Sequence, residues 1–338
     1  MSKEQTSIFK GIAILMMLWL HLFNIPNIVD SCVPLLFIGN VPLVHLLTRI
    51  CSPVEIFIIL SGYGLHYVYR RGDLGFKKQG GRLLKLFSFY WLTLLIFVSI
   101  GSFVNPAKYP GDIWVVIGNV TSYSNSYNTE TWFLFPYMLT SLTALWIFRI
   151  QSKQGNALSL ILSAILYFCS VYIISRYIAP QKLYDSMLNH LVTYFEFFFP
   201  MVIGGWMHDL HERNKLKFKG MNNFKVAGIL LVVIMLKLLY PKILYGPIFA
   251  ALFILIVLQF KNINNSVRQV FDFFGKYSMP MWLIHSYFCY YLFHDFIYGF
   301  RYPLIIYGVL LMVTMLVAIP LFKVHQHLYC LLMRHDAR

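Results

Sequence analysis

The sequence predicts an all-α polytopic membrane protein of about ten transmembrane helices, with N-terminus and C-terminus both cytoplasmic. Three observations predict it. Of the 338 residues, 59% are hydrophobic and only 12% charged, with a mean hydropathy of +0.65, where a soluble domain carries roughly 25% charged residues. Apolar runs recur along the whole chain at about the 20 residues that cross a bilayer core. Lys and Arg, which set the net charge of +15, gather in short segments between those runs. That is the pattern of cytoplasmic loops, not of a nucleic-acid-binding face.

Ten runs qualify, near 10–29, 45–69, 83–103, 130–149, 157–178, 190–208, 226–241, 245–260, 278–296 and 303–322. The first follows Lys3 and Lys10 like a signal peptide, but it has no small-residue cleavage site and is expected to be retained. "DIWVVIGNVTS" at 112–122 is too short to span and reads as an interfacial segment. With the N-terminus inside, 21 of the 28 basic residues fall in inner segments. Such a bias favours an even number of spans. The longest outer segment, 104–129, runs through "NVTSYSNSYNTE" and is a candidate contributor to an acceptor site. A single transmembrane domain over 1–338 is expected, without an appended soluble domain. The five cysteines lack any CxxC pair, so neither a cysteine zinc site nor a disulfide framework is suggested, and no metal is expected.

Ionisable groups inside spans are costly and therefore informative. His21, Glu55, His66, Glu196 and His285 stand out. Lys10 and His21 are eleven positions apart in "KGIAILMMLWLHLF", a rotation that returns to within about 20° of register, so they share a helix face. His21 sits about 16 Å deeper than Lys10 at 1.5 Å per residue. In "VEIFIILSGYGLHYVYRR", Glu55 precedes Arg70 by 15 positions, placing it about 22 Å above the inner surface and near the depth of His21. Glu55, Gly62 and His66 form one stripe, with Ser61 about 120° away. A carboxylate near an imidazole holds the ring in one tautomer and favours its charged form. A structural polar bridge between packed helices satisfies the same pair, and residue type leaves both readings open. His66 reads as a packing or interfacial residue, and Glu196 in "YFEFFFP" as one that snorkels to the outer surface.

Three further segments carry chemistry. "GGRLLKLFSFYWL" puts Arg82 and Lys85 three apart at the start of the third run; with Lys10 they suit phosphates, and alone they are ordinary inner-surface charges. "TWFLFPYML" places Trp132 at the start of the fourth as an interface anchor. "GKYSMPMWLIHSYF" sets Ser278 and His285 seven apart on one face, with structural and functional readings of His285 both open.

Taken together these segments resemble acyltransferase family 3, the integral-membrane O-acyltransferases. Lys10 and His21 match its basic-x10-His signature, "VEIFIILSGYGL" its V-[DE]-x-F-F-x-x-S-G-[FY] motif, and "RLLK" its R-x-x-R. "WFL" resembles its Trp-containing helix, and "GKYSMPMWLIH" its late S-Y-x-x-Y-L-x-H segment. Lys10 stands where arginine is frequent and Lys85 replaces the second arginine, keeping charge but losing a bidentate donor. Met279 and Met281 stand where tyrosine or aliphatic residues are usual.

The resemblance implies transfer of an acyl group, usually acetyl, from cytoplasmic acetyl-CoA as donor substrate, with no permanently bound cofactor. The implied acceptor is a hydroxyl of an extracytoplasmic or lipid-linked polysaccharide of the cell envelope, and the implied location is the bacterial plasma membrane. Lys10, Arg82 and Lys85 would meet the CoA phosphates. His21, oriented by Glu55, would be the general base, with an acyl-His21 intermediate as the competing route. Ser61, Trp132 and His285 would contact substrate. The expected partners are acyl-CoA, a glycan acceptor and the bilayer; a homo-oligomer is left open. A proton-coupled glycan exporter or flippase also suits ten spans with buried His and Glu. It has no need of the Lys10/Arg82/Lys85 cluster, and no internal repeat is evident. A non-catalytic subunit of a glycan-assembly machine is the third class.

Overall fold

The computed structural model describes residues 1–29, 32–218 and 220–335; Lys219 and Arg338, counted above among the basic residues, lie outside them. The described residues form an all-α bundle with one two-stranded antiparallel hairpin, Phe37–Ile38 paired with Val41–Pro42. The helices are α1 (Lys3–Phe23), α2 (Leu43–Thr48), α3 (Pro53–Arg70), α4 (Phe76–Val104), α5 (Ile113–Val120), α6 (Leu134–Gln154), α7 (Asn156–Ile173) and α8 (Met187–Glu196). They continue as α9 (Phe198–Glu212), α10 (Asn223–Leu239), α11 (Gly246–Val257), α12 (Asn265–Lys276), α13 (Ser278–Ser286), α14 (His294–Tyr298) and α15 (Pro303–His335). Short helical turns join several of them.

Among the described residues, six helical stretches are long and apolar enough to cross a membrane: Lys3–Phe23, Leu43–Arg70, Phe76–Val104, Thr129–Gln154, Asn156–Gln181 and Pro303–Leu331. Gly246–Val257 is apolar but shorter. Large apolar side chains such as Leu95, Phe103, Leu231, Leu304 and Leu316 are exposed on the outside of the bundle. A surface of that kind belongs against lipid, and the chain is a multi-pass membrane protein.

Proline explains where the helices depart from the expected runs. The run at 45–69 breaks before Pro53, which restricts Ser52 to a non-helical conformation (φ −140°, ψ 56°) and then takes the first helical position of α3. The run at 190–208 divides at Phe197 between α8 and α9. Pro200 supplies no N–H to the carbonyl of Glu196, four residues earlier, so the ladder is interrupted there. The run at 278–296 is α13 followed by a π-helical turn, Tyr287–Tyr291. The segment at 112–122 contains the short helix α5, whose Ile113 and Trp114 are exposed.

Two close crossings organise the bundle. α1 crosses α12 where a Cβ on Gly11 would strike the Phe271 carbonyl and one on Gly275 the Ser7 carbonyl. α3 crosses α9 where Gly62 faces the Met201 carbonyl and Gly204 the Ile59 carbonyl. Small residues let helix backbones approach to this distance, the usual device inside membranes. One buried apolar cluster, including Met17, Leu18, Leu22, Phe97, Leu134, Met281 and Ile284, surrounds the second half of α1. A second, including Ile56, Ile59, Tyr63, Phe199, Ile203 and Ile254, joins α3, α9 and α11.

Candidate active site

The last turn of α1 carries His21, and a helix end leaves four carbonyls without intrahelical partners. All four are satisfied here. Asn24 N–H donates to Leu20 O at 2.9 Å, the Tyr290 hydroxyl to His21 O, the Tyr298 hydroxyl to Leu22 O at 3.1 Å, and His45 Nδ1 to Phe23 O at 2.7 Å. The backbone under His21 is therefore clamped by the π-helical turn, by α14 and by α2. Trp19 Nε1 adds a bond to Val44 O at 3.1 Å.

Both ring nitrogens of His21 are engaged. Nδ1 lies 2.6 Å from Nε2 of His285, with the ring planes 13° apart, and Nε2 lies 2.7 Å from Oε2 of Glu130. The partners decide the protons. His285 Nδ1 faces only carbonyls, Trp282 O at 2.8 Å and Met281 O at 3.2 Å, so it carries hydrogen and donates. Its Nε2 then holds a lone pair and accepts from His21 Nδ1. One further proton is shared between His21 Nε2 and the Glu130 carboxylate. The pair is mostly enclosed, at 16% and 17% side-chain exposure.

Glu130 comes from the turn that precedes α6, and a set of hydrogen bonds holds it. Asn128 Oδ1 accepts from Glu130 N–H at 3.1 Å and from the Ser286 hydroxyl at 2.8 Å, while Asn128 Nδ2 donates to Leu283 O at 3.0 Å. Trp282 Nε1 donates to Glu130 O at 3.0 Å, and Thr129 N–H donates to the Tyr291 hydroxyl at 3.0 Å. The loop is thus sewn to α13 and to the π-helical turn, a feature frequent at functional sites. Lys108, from the segment after α4, lies 3.7 Å over the Tyr291 ring, and burial pushes its ammonium down from the usual lysine value.

A cavity of about 440 Å³ lies on the basic side of this group, lined among others by Lys10, Ser61, Arg82, Phe133, Tyr137 and Trp282. Ser61 Oγ and the Tyr137 hydroxyl are bonded at 2.8 Å. Arg82 Nη1 donates to Gln79 Oε1 at 2.9 Å. The cavity wall includes the stacked pair Phe133 and Trp282, centroids 4.5 Å apart. That pair is one hydrogen bond from Glu130. A second cavity, about 380 Å³, shares Thr6 and Lys10 and adds Lys3, Ser7, Gly275 and Lys276. Three lysines at a mouth and an apolar, aromatic interior suit a ligand with a phosphorylated head and a thin arm.

Of the residues singled out in the sequence, Lys10, Arg82 and Ser61 share one cavity, and His21 and His285 meet directly. Three placements differ from expectation. Glu55 does not orient His21; Glu130 does. Glu55 keeps its stripe with Gly62 and His66, but that stripe faces α9 and α11, where its carboxyl packs against Gly246. It lies within electrostatic range of Lys237 and Glu196. Equal depth did not imply equal azimuth. Lys85 points away from the cavity, its Nζ 5.6 Å over the Tyr329 ring of α15. Trp132 packs edge-on against Phe133 and Phe197, and Trp282 supplies the indole that lines the cavity. Glu130 had a signal in the sequence, as the acidic end of the quoted polar stretch just before an apolar run. Lys3 and Lys276 had none beyond their charge.

The family model for the acyltransferase domain of family 3 matches residues 7–323, nearly the whole chain. The chain belongs to acyltransferase family 3. No curated protein and no solved structure matches it significantly. The matched span includes Lys10, His21, Glu130, Lys276 and His285.

Proposed function

We propose that this acyltransferase moves an acetyl group from cytoplasmic acetyl-CoA to a hydroxyl of an extracytoplasmic or lipid-linked glycan, with His21 as general base and Glu130 as its charged partner. The observation that carries the reading is the His285–His21–Glu130 relay standing directly behind the aromatic wall of the lysine-mouthed cavity. In this reading the helices make about ten passes with both termini inside, so that Lys3, Lys10, Arg82 and Lys276 meet the CoA phosphates at the inner surface. The pantetheine arm follows α1, whose Lys10-to-His21 rise is about 16 Å.

The His21–Glu130 pair first releases its shared proton to water, leaving a lone pair on Nε2 and a carboxylate on Glu130, and the acceptor hydroxyl then enters beside Nε2. Its oxygen attacks the thioester carbonyl carbon while the hydroxyl proton passes to Nε2. The carbon–sulfur bond breaks and the electron pair leaves on CoA sulfur. That thiolate then takes the proton from Nε2. Glu130 stabilises the imidazolium while it exists, and His285 fixes the ring through Nδ1.

The test is acetyl-CoA binding and turnover by the purified protein in detergent. His21→Ala is expected to bind acetyl-CoA but not turn it over, and the Lys10→Ala/Arg82→Ala double variant to lose binding. Failure of the folded wild type to bind acetyl-CoA would overturn the donor assignment. Acetylated protein accumulating without acceptor would replace direct transfer by an acyl-enzyme route.

A further inference from the structure

A second polar group is buried between α3 and α9, away from the His21 relay. His66 and His208 are 1% and 2% exposed, and their Nδ1 atoms face each other at 3.0 Å. Asp209 Oδ1 lies 3.9 Å from His66 Nδ1, and the three ligand atoms all fall within 4.8 Å of one another. We propose that His66, His208 and Asp209 form a site for a divalent transition-metal ion of the Zn²⁺ class, which ties α3 to α9.

The chemistry of the donors and their surroundings argues for an ion over a bare histidine pair. Two imidazoles and a carboxylate form a ligand set of borderline softness suited to Zn²⁺ and its neighbours. Tetrahedral coordination at about 2.0–2.2 Å puts ligand atoms roughly 3.3–3.5 Å apart. Two of the gaps, 3.0 and 3.9 Å, bracket that spacing, and the third, within 4.8 Å, closes on it by rotation of the Asp209 carboxyl. An Nδ1–H···Nδ1 bond accounts for the two rings alone. It leaves unexplained why Asp209 Oδ1 turns toward them while Oδ2 is held by Asn156 Nδ2 at 2.8 Å. Glu212, one turn on along α9, holds its Oε1 3.8 Å from Nε2 of His208. A carboxylate behind the far nitrogen of a ligating histidine is the usual outer support of a metal site.

The collar is aromatic. Phe148 meets the His66 ring edge-on at 5.0 Å, and Tyr63 meets the His208 ring at 5.2 Å. Access is open on the carboxylate side, where a cavity of about 380 Å³ is lined by Asp209, Glu212, Asn156, Gln151, Arg70 and Arg213. That cavity supplies water for a fourth position. The Arg70 and Arg213 cations are matched by the Asp209 and Glu212 carboxylates, and His211 lies on the next face of α9. The site is independent of the transfer chemistry, since it shares no residue with the relay or the lysine mouth.

The experiment uses the full chain in detergent, freed of any histidine tag and stripped with EDTA, then titrated with Co²⁺ and, in competition, with Zn²⁺. The expected result is one ion per chain with visible Co²⁺ bands of a four-coordinate site. Glu212→Gln is expected to weaken binding about 10–100-fold, as outer-support changes do; His66→Ala and His208→Ala are expected to abolish it. In the wild type, X-ray absorption of the bound Co²⁺ is expected to show two imidazole ligands. This measurement does not depend on the variants folding. A folded wild type without stoichiometric binding overturns the proposal. So does an ion without imidazole ligands, or one held equally by folded His66→Ala. Acetyl-CoA binding by the stripped protein is expected to persist, which separates this site from the donor assignment.

Discussion

Replacing Glu130 by glutamine tests the relay most directly. The change keeps the side-chain shape and an accepting oxygen toward His21 Nε2, at the 2.7 Å seen for the carboxylate, but removes the charge and the capacity to take a proton. Bonds to charged groups contribute about 1.5–3 kcal/mol, roughly twice a neutral bond. If Glu130 only steered the ring, the loss would be about 1–1.5 kcal/mol, or about 5–12-fold in rate at 1.4 kcal/mol per factor of ten. If it carries charge for the imidazolium, the loss reaches the roughly 10²–10⁴-fold typical of acid–base groups. The relay predicts a fall in kcat of about 10²-fold or more. The fold is expected to survive, because Asn128 and Trp282 grip the backbone of Glu130 and not its carboxylate. The assay is acetyl-CoA turnover by purified protein, with acetyl-CoA affinity measured on the same sample. Turnover within about tenfold of wild type, no more than steering alone would cost, would refute the reasoning.

Three other outcomes follow from the same geometry. Glu55→Gln is expected to retain turnover, since its carboxyl packs at Gly246 and not at His21; a loss matching that of Glu130→Gln, in the same assay, restores the other pairing. Asn128→Ala removes three buried bonds at about 1 kcal/mol each, so the melting temperature and kcat fall together while acetyl-CoA affinity holds. Gly62→Ala drives a methyl into the Met201 carbonyl where α3 crosses α9. Overpacking of that kind costs about 1–3 kcal/mol, read as a lowered melting temperature in detergent.

Much of the fold was legible because lipid imposes it. A chain in hydrocarbon must satisfy its backbone within helices, so apolar length alone located the runs. What it missed are the interruptions at Ser52, Phe197 and Tyr287, where the local signal was one proline or none. At the site, polar residues in apolar surroundings marked His21 and His285, and helical register placed Lys10 on the face of His21. Glu130 was harder to read. It stands at the boundary of a span, where a carboxylate costs little and so attracts no notice. The bonds of Asn128 and Trp282 that tie this segment to α13 turn it inward.

By itself, then, the sequence determined the class of solvent, the places where helices form and the few ionisable groups that must have a purpose in lipid. Those follow from local composition and a 3.6-residue period. The pairings were decided by tertiary structure alone: His21 with Glu130 instead of Glu55, Lys10 with Lys276 instead of Lys85, and His66 with His208, 142 positions away. The physical reason is that depth along a helix is a property of one segment, whereas azimuth is set by whichever helix packs against it. Here that choice rests on small residues, Gly11 with Gly275 and Gly62 with Gly204. At each crossing the backbones come too close for any side chain.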